Sequence, residues 1–247
     1  MAHSRGTEAT RVVSFPFMER PVIGALLAAV AGSLNAWSLG QAGTFATVQS
    51  GNVVVAGFAL AGGDLARVGM ALLSILAFGL GAFANSVAVT LLLRRGRAYS
   101  GPVLFVLAGL VALIALLAVT HALPVNALVL GISFVAGSQG NAFHRDHGML
   151  YGNVAVTFVV QSFFSLLGRV LLPTSKEGQA ADVRTVLIFG GVLLSFAAGA
   201  FLGFLAEAFV AAGALWLAAV ISVVLAVAAI TRPEGSPVDP AQNAPTP

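Results

Sequence analysis

Cysteine is absent from the 247 residues, which excludes disulfides, thiolate metal sites and thiol nucleophiles. Charge is scarce as well: Asp, Glu, Lys and Arg make up 9% of the chain, against 58% hydrophobic residues. A soluble domain carries roughly 25% charged residues, so this chain cannot clothe a globule in water. A mean hydropathy of +0.97 excludes intrinsic disorder for the opposite reason. The pI of 10.2 invites a nucleic-acid reading, but the net charge is only +3 and no nucleic-acid partner is expected. Phosphate-loop, H-E-x-x-H and G-x-S-x-G signatures are all missing, which removes ATP-driven pumping by this chain and the standard hydrolase chemistries. What remains is an integral membrane protein.

Eight apolar segments run through the chain: about 22–39, 44–62, 68–93, 103–121, 124–143, 154–172, 186–206 and 212–230. Each is near the ~20 residues a helix needs to cross ~30 Å of hydrocarbon. Strand-type alternation is missing, so the fold class expected is all-α, a polytopic transmembrane helical bundle. Residues 1–20 form a polar, mildly basic head, and the Pro-rich tail 232–247 is expected to be disordered. Both are expected in the cytoplasm. Trp37, Trp216, Tyr99 and Tyr151 fall toward segment ends, where amphipathic aromatics favour the interface.

The chain contains a repeat, residues 21–121 and 122–231. Ala31-Gly32-Ser33-Leu34-Asn35-Ala36 matches Ala136-Gly137-Ser138-Gln139-Gly140-Asn141-Ala142 with one extra residue. Thr44-Phe45 and Val48-Gln49-Ser50 match Thr157-Phe158 and Val160-Gln161-Ser162. Phe78–Phe83 matches Phe196–Phe201. The offsets of 106, 112 and 118 keep these matches collinear. Four spans per half would make the repeats parallel, and three would invert them. The positive-inside rule favours three. If the second and sixth segments enter and return on one side, Lys and Arg divide 11:1, with Arg67 alone outside. If all eight segments span, the split is 8:4. The expected plan is therefore about six spanning helices plus two broken or re-entrant segments, in two inverted repeats, as in many secondary transporters.

Polar side chains within apolar segments are expensive and therefore informative. The richest cluster is Gln49, Ser50, Gly51 and Asn52, with Gln161 and Ser162 as its counterpart and Asn35 and Asn141 on the preceding helices. Gly51 can break a helix and free backbone groups for a ligand. Two readings stand: a substrate-binding path shared by both repeats, or amides and hydroxyls that join helices. Asn85, Asn126, Gln139 and Asn153 are scattered and read as packing residues. No Asp, Glu or Lys lies at a segment centre, so a carboxylate proton relay is not expected. Asp64 near Arg67 and Asp182 near Arg184 read as exposed loop pairs. His144 and His147 are too few for a metal site. Arg94, Arg95 and Arg97 read as an anchor at anionic headgroups. No cofactor and no metal are expected.

The run Gly32-Ser33-Leu34-Asn35-Ala36, then Phe45, Ser50-Gly51-Asn52 and an Ala-Gly-Gly-Asp turn at Ala61–Asp64 resembles the YoaK-like family of bacterial membrane proteins of unknown function. The resemblance extends through Gly137, Asn141-Ala142 and Thr157-Phe158, covering about 21–230. It implies the bacterial inner membrane and about six transmembrane helices. The family pattern commonly has Asp at the place of Asn35, Thr at that of Ser50, and Gly-Thr at that of Gln161-Ser162. Asn35 thus removes the one intramembrane carboxylate able to bind a cation or proton.

The expected partners are the lipid bilayer and a small-molecule solute, neutral, zwitterionic or an anion held by amides. The expected function is a permease. The alternative is a non-transporting scaffold, sensor or assembly partner whose polar residues only pack helices. An enzyme is not expected, because no nucleophile–base or metal set is present.

Overall fold

The computed structural model describes residues 16–141, 144–146, 149–151, 154 and 156–231. Most of the 1–20 head and the whole 232–247 tail lie outside the described residues. A short 3-10 turn, Phe17–Glu19, leads into α1 (Pro21–Ala42). Then follow α2 (Gln49–Ala61), α3 (Leu65–Arg94), α4 (Ser100–Val119) and α5 (Val125–Asn141). Two three-residue strands, β1 (His144–Asp146) and β2 (Met149–Tyr151), pair antiparallel before α6 (Val156–Leu171), α7 (Lys176–Glu207) and α8 (Gly213–Thr231).

Local chemistry sets the helix ends. Pro21 opens α1 in the first turn, where its missing N–H costs nothing. Gly43 closes α1 in the left-handed region, φ 63°. Asp64 and Ser175 cap α3 and α7, accepting from the backbone N–H of Arg67 and Gly178. Asp64 is therefore a helix cap, and the Arg67 guanidinium sits over the Phe58 ring instead of pairing with it. Asp182 pairs with Arg169 on the neighbouring α6, at 2.9 Å. A helix brings together groups that are far apart in the chain more readily than neighbours two residues apart.

Five helices, α1, α3, α4, α7 and α8, are long and apolar enough to cross a bilayer. The other three, α2, α5 and α6, have 13, 17 and 16 residues, about 20, 26 and 24 Å of rise against a hydrocarbon core of roughly 30 Å. Of the six segments expected to span, 124–143 is the one that forms a short helix, α5.

Side-chain contacts fix the helix directions. Ser74 lies beside Ser133, and two turns further Ser138 donates to the carbonyl of Gly81, so α3 and α5 run parallel. Gly199 abuts Ala29 and Phe204 abuts Gly40, so α1 and α7 run parallel. Gln139 donates to the carbonyl of Leu27 while Ala136 packs with Ala31, so α5 opposes α1. It follows that α1 ends, and α3 begins, at one end of the bundle. The segment between them enters and returns at that end. The segment carrying α6 does the same at the opposite end. The repeats are inverted, and the re-entrant path expected from the arginines is the observed one.

The two halves meet in matching crossings. Gly32 faces the carbonyl of Phe196 and Gly199 that of Ala29, while Gly137 faces the carbonyl of Phe78 and Gly81 that of Phe134. A Cβ at any of the four would overlap that carbonyl oxygen. Glycine is required for the helices to approach so closely. Ala31, Ala136, Val154, Phe78 and Phe196 cluster where the crossings adjoin.

Tyr99 and Ser100 bond Glu19 and the backbone of Met18, and Ile230 rests on Gly101. One end of the bundle thus gathers both ends of the described chain, together with Arg20, Arg94, Arg95, Arg97, Arg169 and Lys176. Arg67 lies at the other end. Trp37 and Tyr99 do not sit in an interfacial belt: both are buried in the largest core cluster. Leucines and phenylalanines of α3 and α7, such as Leu80, Phe83, Leu187 and Phe201, face outward instead. That is the apolar coat lipid requires.

Candidate functional site

The segment 43–48 between α1 and α2 is not helical, and its backbone groups need partners away from water. Side chains supply them. Asn35 donates to the Thr47 hydroxyl at 2.7 Å and accepts from the Thr47 N–H. Ser38 accepts from the N–H of Ala46. The Ala46 carbonyl accepts from Gln49 Nε2 at 2.8 Å and from the Ser133 hydroxyl at 2.9 Å. Asn52 Nδ2 donates to Gln49 Oε1 and to Ser74 Oγ, each at 2.9 Å, and Ser74 lies 2.8 Å from Ser133. With Ser74 donating, the bonds run in one direction from Asn52 through Ser74 and Ser133 to the Ala46 carbonyl. Such chains reinforce one another in a low-dielectric interior.

This corrects the expected place of the break. Gly51 lies within α2, and nothing stands within 4 Å of where its Cβ would be. The chain breaks upstream, where Asn35, Ser38 and Ser133 supply partners for the Ala46 and Thr47 backbone groups that the break frees.

Beside the loop is a cleft of about 860 Å³. Asn35, Thr47, Gln49 and Ser50 line it from the first half, and Thr157 and Gln161 from the second. Phe45, Phe78, Phe158, Phe196 and Phe204 supply aromatic walls, and among the described residues no charged side chain contributes to the lining. Its inner wall is the helix crossing, at Phe78, Gly137, Phe196 and Ala200. The cleft brings together four of the residues singled out in the sequence: Asn35, Gln49, Ser50 and Gln161. Asn52 is buried against α3 and does not line it. Gly51 and the half-buried Ser162 do not line it either. Asn141 ends α5, and its side chain lies outside the described residues, as do those of His144 and His147. Sequence reading missed Thr47 and Ser133, whose role in the loop is visible only once α5 is packed against it.

Gln49 and Gln161 match in sequence but not in setting. Gln49 is the first residue of α2, with both ends of its amide occupied. Gln161 is a full turn inside α6, exposed toward the cleft, and makes no hydrogen bond with another described residue. The second half also replaces the polar triad with apolar contacts. The crossings pair Ser133 with Ala28 and Ser74 with Val192, and these pack with Val159 and Phe163 of α6. Among the described residues no group of three His, Asp or Glu side chains stands close enough for a metal ion.

Five long apolar helices, two re-entrant segments and an apolar outer surface define a polytopic integral membrane protein with an inverted repeat. The chain belongs to the family described as Protein of unknown function (DUF1275), whose model matches residues 23–228, in keeping with the YoaK-like resemblance. No curated protein and no solved structure matches the chain.

Proposed function

We propose that the protein is a permease of the bacterial inner membrane for small neutral or zwitterionic solutes. The observation that carries this reading is the cleft, uncharged among the described residues. It lies where the two inverted repeats meet and is lined by residues of both re-entrant segments, the position transporters of this plan give to substrate. About 860 Å³ suits a small molecule, for which sites run roughly 300–1,000 Å³. Aromatic walls favour a solute with an apolar body. The amide of Gln161 and the hydroxyls of Ser50, Thr47 and Thr157 favour one or two polar groups. With no carboxylate among the described lining residues, a bare cation is not the solute expected. The arginine-rich end faces the cytoplasm in this reading, carrying both ends of the chain, and the protein is not an enzyme.

Gln161 is the residue to test. It lines the cleft and makes no packing bond, so Gln161→Leu should keep the wild-type melting temperature. In proteoliposomes screened for uptake of a panel of labelled amino acids, polyols and nucleosides, the variant should lose the flux that wild type shows for some of them. Wild-type flux no greater than that of empty vesicles across the panel would favour the second reading, a non-transporting scaffold. The bonds that Asn52, Ser74 and Ser133 make among themselves are the observation behind that alternative.

A further inference from the structure

The cleft has two unlike rims. Toward the end of the bundle where α1 finishes, the rim is Leu39, Phe45 and Phe204, the last resting on Gly40. Toward the arginine-bearing end, α6 supplies Thr157 and Gln161 beside Phe158. α6 carries that polarity onward. Thr157, Gln161, Ser165 and Arg169 follow at four-residue spacing, so they neighbour one another along the helix, and all four are exposed. α3 leaves the cleft for the same end. Beyond Phe78 and Ala82, which line the cleft, Ser86, Thr90 and Arg94 continue at the same spacing and are exposed as well.

The inverted repeat supplies a control for this pattern. Phe204 and Ala208 take the places of Ser86 and Thr90 in the second half, and Val53 and Gly57 take those of Ser165 and Arg169 in the first. Equivalent positions of inverted repeats stand equally far from opposite ends of the bundle. The two ends thus differ in polarity at matched depth, and nearness to a membrane surface does not account for the hydroxyls. Hydrogen bonding points the same way. Packed hydroxyls of this bundle donate to a carbonyl one turn back on their own helix, as Thr185 and Ser222 do. Ser86, Thr90, Thr157, Gln161 and Ser165 make no hydrogen bond with another described residue. Against hydrocarbon each would be an unpaired polar group, whereas water satisfies all five.

We propose that a water-filled vestibule between α3 and α6 joins the cleft to the arginine-bearing end, while the apolar rim of Leu39, Phe45 and Phe204 keeps water out from the other end. The described conformation is therefore open to one side only. Ser86 and Thr90 form one wall of the vestibule, and Thr157, Gln161 and Ser165 the other. Arg169 at the mouth is neutralised by Asp182, so an uncharged polar solute meets hydroxyls along the whole way. Use of the vestibule by a solute rests on the permease reading; the vestibule itself does not.

The absence of cysteine allows single thiols to test this. Ser86→Cys, Ser165→Cys, Gln161→Cys and the control Val53→Cys are treated in sealed vesicles of known orientation with a membrane-impermeant cationic methanethiosulfonate. Val53 is 60% exposed, so what separates it from Ser165 is wetting and not burial. From the arginine-bearing side, the thiols at Ser86, Ser165 and Gln161 should react at least tenfold faster than the thiol at Val53 does from the opposite side. The thiol at Gln161 should resist the reagent from that opposite side. All four variants should keep the wild-type melting temperature, because none of the residues replaced makes a side-chain hydrogen bond. Thiols at Ser86 and Ser165 no faster than the one at Val53, or labelled by a lipid-soluble maleimide alone, would overturn the vestibule. Shielding of Ser165→Cys together with its oxidation to a cross-linked dimer would overturn it as well, by assigning the polar face to a second copy of the chain. Equal reaction of Gln161→Cys from both sides would overturn the apolar rim. Reactive vestibule thiols in a protein that moves no solute of the panel would uphold the vestibule and overturn the permease reading alone.

Discussion

The four crossing glycines make the sharpest test of the architecture. Gly81→Ala places a methyl group onto the Phe134 carbonyl, which backbone cannot yield without moving α3 from α5. Overpacking of this kind costs about 1–3 kcal/mol. Gly79 is two residues away on the same helix with nothing within 4 Å of its Cβ position. Gly79→Ala should therefore be neutral or gain up to about 0.5–1 kcal/mol from helix propensity. At roughly 2–4 °C per kcal/mol for a chain of this size, the two variants should differ by several degrees in a detergent melting curve. The inverted repeat adds a stricter demand. Gly81 and Gly137 serve one crossing, and Gly32 and Gly199 the other. A double Ala variant within one crossing should cost less than the sum of its singles, because the helices separate once. A double variant across crossings should add, to the extent that the crossings move independently. If Gly81→Ala and Gly79→Ala melt alike, the close approach of α3 and α5 is wrong. If both kinds of double variant simply add, the pairing of glycines is wrong.

Cysteines at Ala98 and Thr231 should react with an impermeant maleimide from the same side of the membrane, and a cysteine at Ala66 from the other. Ala98 and Thr231 on opposite sides would instead mean eight spans. Asn35→Leu removes both bonds to Thr47 and strands its buried N–H, so it should lose about 1–3 kcal/mol in thermal melts. Asp182→Asn should change stability by no more than about 1 kcal/mol, because its partner Arg169 is 66% exposed and solvent screens the pair.

The path of the chain was readable because it depends on local composition: apolar runs set the helices, and arginines set which ends lie together. The crossings were foreshadowed by Gly32, Gly81, Gly137 and Gly199, since a small residue repeated at matching places leaves few other roles. The break before α2 was misplaced onto Gly51 because glycine is the local signal for a bend. The cause is tertiary: Ser133, far along the chain on α5, bonds the Ala46 carbonyl. Asp182 likewise found Arg169 across a helix pair, and Trp37 and Tyr99 were drawn inward by packing and, for Tyr99, by the buried Glu19 carboxyl. Asn85 read as a packing residue, yet its Nδ2 has no hydrogen-bond partner among the described residues. Only the position of α4 reveals that.

The two halves share their scaffold but not their polar chemistry, and the difference bears on how the cleft can hold a ligand. At the crossings, equivalent positions carry glycine in both halves, because a carbonyl stands where any Cβ would be. No such constraint acts beside the cleft. There the first half carries Ser74 and Ser133, and the second carries Val192 and Ala28 at the matching positions. The first-half loop is consequently pinned by bonds that use up Gln49, whose amide has both ends occupied. To turn Gln49 toward a ligand would strand the Ala46 carbonyl or Asn52. Gln161 carries no such obligation and can meet a ligand without loss elsewhere. The wall from α2 is held by its own hydrogen bonds, and the wall from α6 carries the amide that has no partner among the described residues. A symmetric frame thus encloses an asymmetric cleft, and on the permease reading proposed above it is the second repeat that would orient a bound solute.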